Sequence, residues 1–159
     1  MRLRSTVIIL APLLLAACAS AYVEPQGPDT ATVTIQNAGP MRLAIFAYKV
    51  AEDCSGGRPK IANTPALDPG QSVSFKVKGN DAFSFFAGFA QSTLIKETNC
   101  FMPVTFTPRS GEKYIARFTV SGGKCYPAIV STTPAGERKE AFRLRQLQMT
   151  MTEAGAACK

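Results

Sequence analysis

The chain has 159 residues, 18 lysines and arginines against 11 acids, a formal charge of +7, five cysteines and no histidine. The missing histidine excludes a nucleophilic triad built on a histidine base and any zinc site that needs imidazole. A basic chain in which 46% of residues are hydrophobic is long enough for one domain with a real core.

Met1-Arg2-Leu3-Arg4 is a short positive start, Val7 to Leu15 is apolar apart from Pro12, and Ala16-Ala17 are small. That layout is a secretory signal over residues 1–17, with an apolar run too short to span a bilayer. Its last residues, Leu15-Ala16-Ala17-Cys18, match the lipobox, and on them the chain resembles bacterial lipoproteins. The resemblance implies cleavage before Cys18, acylation of its sulfur and of the new amino terminus, and a membrane held through those acyl chains. An aspartate after the cysteine tends to retain such proteins at the inner membrane. Here Ala19 follows, so the resemblance implies a lipid-anchored, periplasm-facing protein of the outer membrane. Residues 18–30, with Pro25, Gly27 and Pro28, predict a flexible tether that reaches at most about 40 Å.

Cleavage leaves 142 residues and lowers the charge to +5, because Arg2 and Arg4 leave with no acid. The single domain is expected over residues 31–159. With Cys18 lipidated, Cys54, Cys100, Cys125 and Cys158 remain, an even number that reads as two disulfides in an oxidising compartment. Three pairings are open. Cys54 follows one expected strand and Cys100 precedes another, while Cys125 starts a strand that the last segment could neighbour. Cys54–Cys100 with Cys125–Cys158 is therefore the expected pairing.

Within the domain the apolar residues alternate. Ala31 to Gln36 alternates through Val33 and Ile35, and Met41 to Val50 is apolar on both faces, which suits an inner strand. Ser72 to Lys78 places Val73, Phe75 and Val77 on one face and Lys76 and Lys78 on the other. In Ala82 to Ala90, Phe83, Phe85 and Phe89 share one parity. The other parity is small except for Phe86, so a further layer could approach there. Phe101 to Thr107, Lys113 to Ser121 and Cys125 to Ser131 complete the set, with turns at residues 37–40, 68–70, 79–81, 108–111 and 121–123. Seven to eight short strands predict an all-β, disulfide-stabilised antiparallel β-sandwich, immunoglobulin-like or transthyretin-like. Glu137 to Glu153 fits either a helix through Ala141, Leu144 and Gln148 or a strand with one bulge near Gln146. The strand is favoured, since it places Phe142, Leu144, Leu147, Met149 and Met151 on one apolar face.

Few constellations point to chemistry. Met149-Thr150-Met151 has the softness of a copper(I) ligand pair but no supporting cluster, and reads as two core-facing methionines. Ser55-Gly56-Gly57 and Ser121-Gly122-Gly123 lack the spacing of a P-loop. A serine–lysine pair or a carboxylate pair stays open, yet Glu52-Asp53 and Glu97 follow no recognisable motif. The expectation is a non-enzymatic protein without cofactor or metal. Lys76, Lys78, Arg117, Arg143 and Arg145 lie on polar strand faces, and if those strands are neighbours they form a stripe for anionic lipid or an acidic envelope partner. The same residues also suit a solvated face with lysines guarding sheet edges. Nucleic acid is not an expected partner.

The segment Asp68 to Val130 also resembles small β-sandwich lipoproteins of unassigned function, through a Pro-Gly turn before an alternating strand, Cys100, Phe106-x-Pro108-x-x-Gly111-x-x-Tyr114 and Cys125. That resemblance implies a fold and no activity. The lipoprotein of the type VI secretion baseplate is similar in size and anchoring, but no segment matches its characteristic loop. Lysozyme inhibitors of the periplasm are a poorer comparison, since a basic target calls for an acidic or neutral inhibitor. The expected function is a lipid-anchored periplasmic binding or scaffold module. The alternative is a secretion-system or envelope-assembly lipoprotein that docks a larger membrane partner.

Overall fold

The computed structural model describes residues 20–64, 66–92, 97–148, 150–152 and 154–159, with backbone alone for residues 63, 90–92, 97 and 98. Ten strands are assigned among them. They are β1 (Thr30–Asn37), β2 (Leu43–Ala47), β3 (Ala66–Leu67), β4 (Ser72–Lys78), β5 (Phe83–Ser92), β6 (Glu97–Phe106), β7 (Lys113–Ser121), β8 (Lys124–Thr133), β9 (Gly136–Lys139) and β10 (Arg143–Leu144). A 3-10 turn at Ile61–Asn63 is the only helical element among the described residues.

The strands form two five-stranded sheets in the orders β4-β1-β7-β8-β9 and β10-β6-β5-β2-β3, which pack as a disulfide-stabilised β-sandwich. Neighbouring strands run antiparallel with one exception. β1 and β7 are parallel, with Val33 opposite Tyr114 and Ile35 opposite Ala116. The period-2 patterns explain the layers. β1 turns Ala31, Val33 and Ile35 inward, β4 turns Phe75 and Val77, and β7 turns Tyr114, Ala116 and Phe118. From the other sheet Phe83, Phe85, Ala87 and Phe89 meet them, and Phe85 and Phe118 touch edge to face with centroids 5.9 Å apart. Burial of these side chains is the main stabilising term, at about 2 kcal/mol for each large one.

Asn37 closes β1 inside this core. Its side-chain amide donates to the carbonyls of Met41 (2.8 Å) and Leu67 (2.9 Å), and its Oδ1 accepts the Gly39 N–H at 3.0 Å. The fully buried polar group is satisfied by tying the β1–β2 turn to β3, across the two sheets.

Three expectations are corrected. Residues 20–29 do not hang free as a tether. Ala21 bridges Lys60, and the Tyr22 ring packs against Phe75 and Phe83. The Tyr22 hydroxyl donates to the Lys76 carbonyl, and Glu24 Oε2 accepts the Lys76 N–H at 2.9 Å, so this segment covers the free edge of β4. Second, the carboxyl segment is neither a helix nor one bulged strand. β9 pairs with β8 in one sheet, Phe142 packs into the core, and β10 pairs with β6 in the other sheet. Leu144, Leu147 and Met151 are exposed, so no single apolar face forms, and Met149 lies outside the described residues. Third, the disulfides are Cys54–Cys158 and Cys100–Cys125, with Cα–Cα separations of 5.4 and 6.1 Å. Cys100 ends up beside Cys125 because β6 and β8 lie in opposite sheets with both cysteines turned toward the core between them.

Candidate functional site

The segment that follows Cys18 meets the domain at one end of the sandwich. The Lys60 N–H donates to the Ser20 carbonyl at 2.9 Å and the Tyr22 N–H to the Lys60 carbonyl at 2.8 Å. The same end holds the close of β2, the turn into β5 and the start of β1, since Thr30 stands opposite Lys78. Ala21, Tyr22, Lys49, Lys78 and Phe83 line a cavity of about 300 Å³ there. Burial pushes the Tyr22 phenol up to about 12, and the nearby Glu24 carboxylate adds to the rise. Burial likewise pushes Tyr48 up to about 12, against the opposing pull of Arg58. Both phenols stay protonated at neutral pH, so neither serves as a base there. Val23 projects into solvent with 85% of its surface exposed, and Val50 is also exposed.

The five basic residues picked out in the sequence do not form one stripe, which corrects that expectation. Lys76, Lys78 and Arg117 lie on the outer face of the β4-β1-β7-β8-β9 sheet, whereas Arg143 and Arg145 lie on and beyond β10 of the other sheet. The cause is the crossing of the chain between β9 and β10. Three of the five are also engaged. Lys78 pairs with Asp81 at 2.5 Å. Arg117 grips both carboxylate oxygens of Glu137 and takes Gln36 Oε1 at 3.1 Å, which holds Glu137 below the usual carboxylate range. Arg145 donates to the Glu52 carbonyl. Lys76 and Arg143 make no ion pair among the described residues.

A denser charge cluster stands at the β6–β7 turn, built by the motif Phe106-x-Pro108-x-x-Gly111-x-x-Tyr114. Arg109 Nε donates to Glu112 Oε1 at 2.8 Å, and Arg109 and Arg138 both reach Glu140. The Tyr114 hydroxyl accepts the Arg109 N–H and donates to Glu112, each at 2.8 Å. Arg109 first, then Tyr114, hold the Glu112 carboxyl down at about 2. Gly111, at φ +79°, supplies the left-handed turn that lets its N–H donate to the Thr30 carbonyl. Arg109, Glu112 and Tyr114 bond one another across the turn, which gives these three side chains a structural role.

The outer face of the β5-bearing sheet carries a group of side chains that periodicity did not select. Phe46 and Phe86 stack at 4.6 Å with planes 5° apart, and Phe86 stacks on Phe101 at 5.9 Å. The Arg58 guanidinium lies 5.4 Å from the Phe46 centroid. Gly88 stands opposite Phe101 and makes room for the rings, because a Cβ there would fall 2.5 Å from Phe86. Tyr48, Cys54, Ala157 and Cys158 extend this group into a second small core beneath the carboxyl terminus. The single large residue on an otherwise small parity, Phe86, was the available signal for that layer. Phe101 remains half exposed at the far end. Among the described residues no three histidine, cysteine, aspartate or glutamate side chains come together as a metal site. No protein-family model, curated protein or solved structure matches the chain.

Proposed function

We propose that this chain is a lipid-anchored, non-enzymatic binding or scaffold module of the outer membrane that faces the periplasm. The observation that carries the reading is the lipobox Leu15-Ala16-Ala17-Cys18 followed by Ala19, set before a domain with two disulfides. Disulfides persist in the oxidising periplasm, and acyl chains on Cys18, at about 0.8 kcal/mol for each buried methylene, make a lasting anchor. The sandwich then serves as a rigid body that presents its faces to other envelope components. Crosslinking of the full chain in intact cells, followed by mass spectrometry, tests this. Envelope proteins captured with the native chain and lost with Cys18→Ala support it. Unchanged capture after Cys18→Ala contradicts it.

A role in docking one larger envelope protein, as in a secretion or assembly complex, is the second reading. It is favoured by Phe101, a half-exposed ring held at the end of a packed aromatic stack. Loss of one dominant crosslink on Phe101→Ser, with the fold intact, supports that reading over a dispersed set of contacts.

A further inference from the structure

The geometry at the amino-terminal end points to a membrane-contact surface: we propose that the rim formed by Val23, Lys49, Val50 and Lys60 rests in the headgroup layer of the membrane and holds the sandwich end-on. The proposal rests on the anchoring of Cys18. Its first support is the length of chain between the anchor and the fold. Ser20 is fixed by Lys60, and Tyr22 is fixed by Lys60, Lys76, Phe75 and Phe83. Two residue steps separate Cys18 from Ser20, which span at most about 7 Å. A headgroup layer is of about the same depth, given a hydrocarbon core of about 30 Å within a bilayer of about 40–45 Å. An acylated Cys18 at the hydrocarbon boundary therefore brings Ser20 into or against the headgroups. A free tether of a dozen residues would impose no such limit.

The chemistry of the rim agrees. Val23 is an apolar side chain 85% exposed on a segment otherwise pinned to the domain, and Val50, next in sequence to the cavity-lining Lys49, is exposed as well. Lys49 lines the cavity and Lys60 forms the bridge to Ala21, and neither makes an ion pair among the described residues. Carboxylates stand near them as well. Glu24 accepts the Lys76 N–H and Asp81 pairs with Lys78, while Glu52 remains on the rim. Glu24 and Glu52 balance the charge of Lys49 and Lys60, so the acyl chains supply the affinity. The lysines and valines decide which end faces the lipid, through attraction to anionic headgroups and interfacial burial of apolar surface.

The test uses the full lipidated chain in nanodiscs containing anionic phosphatidylglycerol, with a paramagnetic chelate on a fraction of the headgroups, read by amide signals in NMR. Amides of residues 20–24, 49–51 and 60 are expected to lose intensity several-fold more than those of the turns at 37–42 and 121–124 at the opposite end. Lys49→Glu with Lys60→Glu, and separately Val23→Asp, should reduce that contrast while chemical shifts elsewhere report an intact fold. Equal broadening at both ends, or contrast unmoved by both variants, overturns the docking even if Cys18 carries its acyl chains. A sample whose Cys18 is found unacylated overturns the anchoring, and the docking with it.

Discussion

The Tyr114 hydroxyl donates to Glu112 Oε2 at 2.8 Å while it accepts the Arg109 backbone N–H at the same distance. One buried phenol thus closes the turn between β6 and β7 from inside, with its ring against Phe106 at 5.4 Å. Tyr114→Phe keeps the ring and leaves the Arg109 N–H without its partner. It should cost about 1–2 kcal/mol, measured as a lower urea midpoint with an unchanged slope.

The same contact has a pH signature. Glu112 is held at about 2, below the usual 4.5, first by Arg109 and then by Tyr114. A carboxyl lowered in the folded state contributes stability that is present above 4.5 and is lost as pH falls from 4.5 through 2. Glu112→Gln removes the titrating group, so the stability curve of the variant should fall less steeply over that window. Parallel curves for variant and parent would show that other carboxyls carry the acid response.

Asn37→Ala strips two carbonyls and one N–H of a buried partner at the junction of both sheets. The expected loss is about 3 kcal/mol, seen as a clear drop in thermal midpoint. Gln36→Ala, one residue away on the outer face, loses only its contact to Arg117 and should stay within about 0.5 kcal/mol of the parent.

Disulfide connectivity has a direct readout. A non-reducing peptide map should join the Cys54 peptide to the carboxyl-terminal peptide and the Cys100 peptide to the Cys125 peptide. With sequence separations of 104 and 25 residues, the chain-entropy estimate is about 5 and about 3.5 kcal/mol of stabilisation. Removal of the Cys54–Cys158 pair should therefore lower stability more, and should loosen the tail over the Phe86 face first. Joined Cys54 and Cys100 peptides would contradict the connectivity.

Gly79 marks where two turns touch. A Cβ there would fall 2.7 Å from the Ser110 Cα and 2.8 Å from its nitrogen, backbone atoms that cannot swing away. Gly79→Ala should cost about 1–3 kcal/mol through displacement of the β6–β7 turn. Ser110→Ala removes only the hydroxyl that Asn80 donates to and should be far milder.

What was legible in the chain follows from where local pattern decides structure. Ser72–Lys78 is a strand with the expected residues turned inward and Lys113–Ser121 is a strand as expected, because alternation over seven or more residues leaves one way to bury a face. Pairing across the sandwich was not legible. Cys100 and Cys125 meet through the stacking of two sheets, which strand-end positions alone do not encode. The carboxyl segment failed for a related reason, since residues 136–147 are divided between two sheets and alternation has no single face to report. The early packing of Tyr22 was hidden by a Pro/Gly-rich composition that reads as linker although one aromatic ring and Glu24 suffice to fasten it. For the basic residues, polar faces were legible, but the carboxylates that neutralise Lys78 and Arg117 were not.

The mass of the amino-terminal peptide is the direct test of the proposed anchoring at Cys18. The full chain is expressed in a bacterium with two membranes, recovered from the cell envelope and digested, and its amino-terminal peptide is sequenced by tandem mass spectrometry. The expected peptide begins at Cys18 and carries a diacylglyceryl thioether with an acylated amino group. A peptide that begins elsewhere, or a Cys18 with a free thiol, would contradict it.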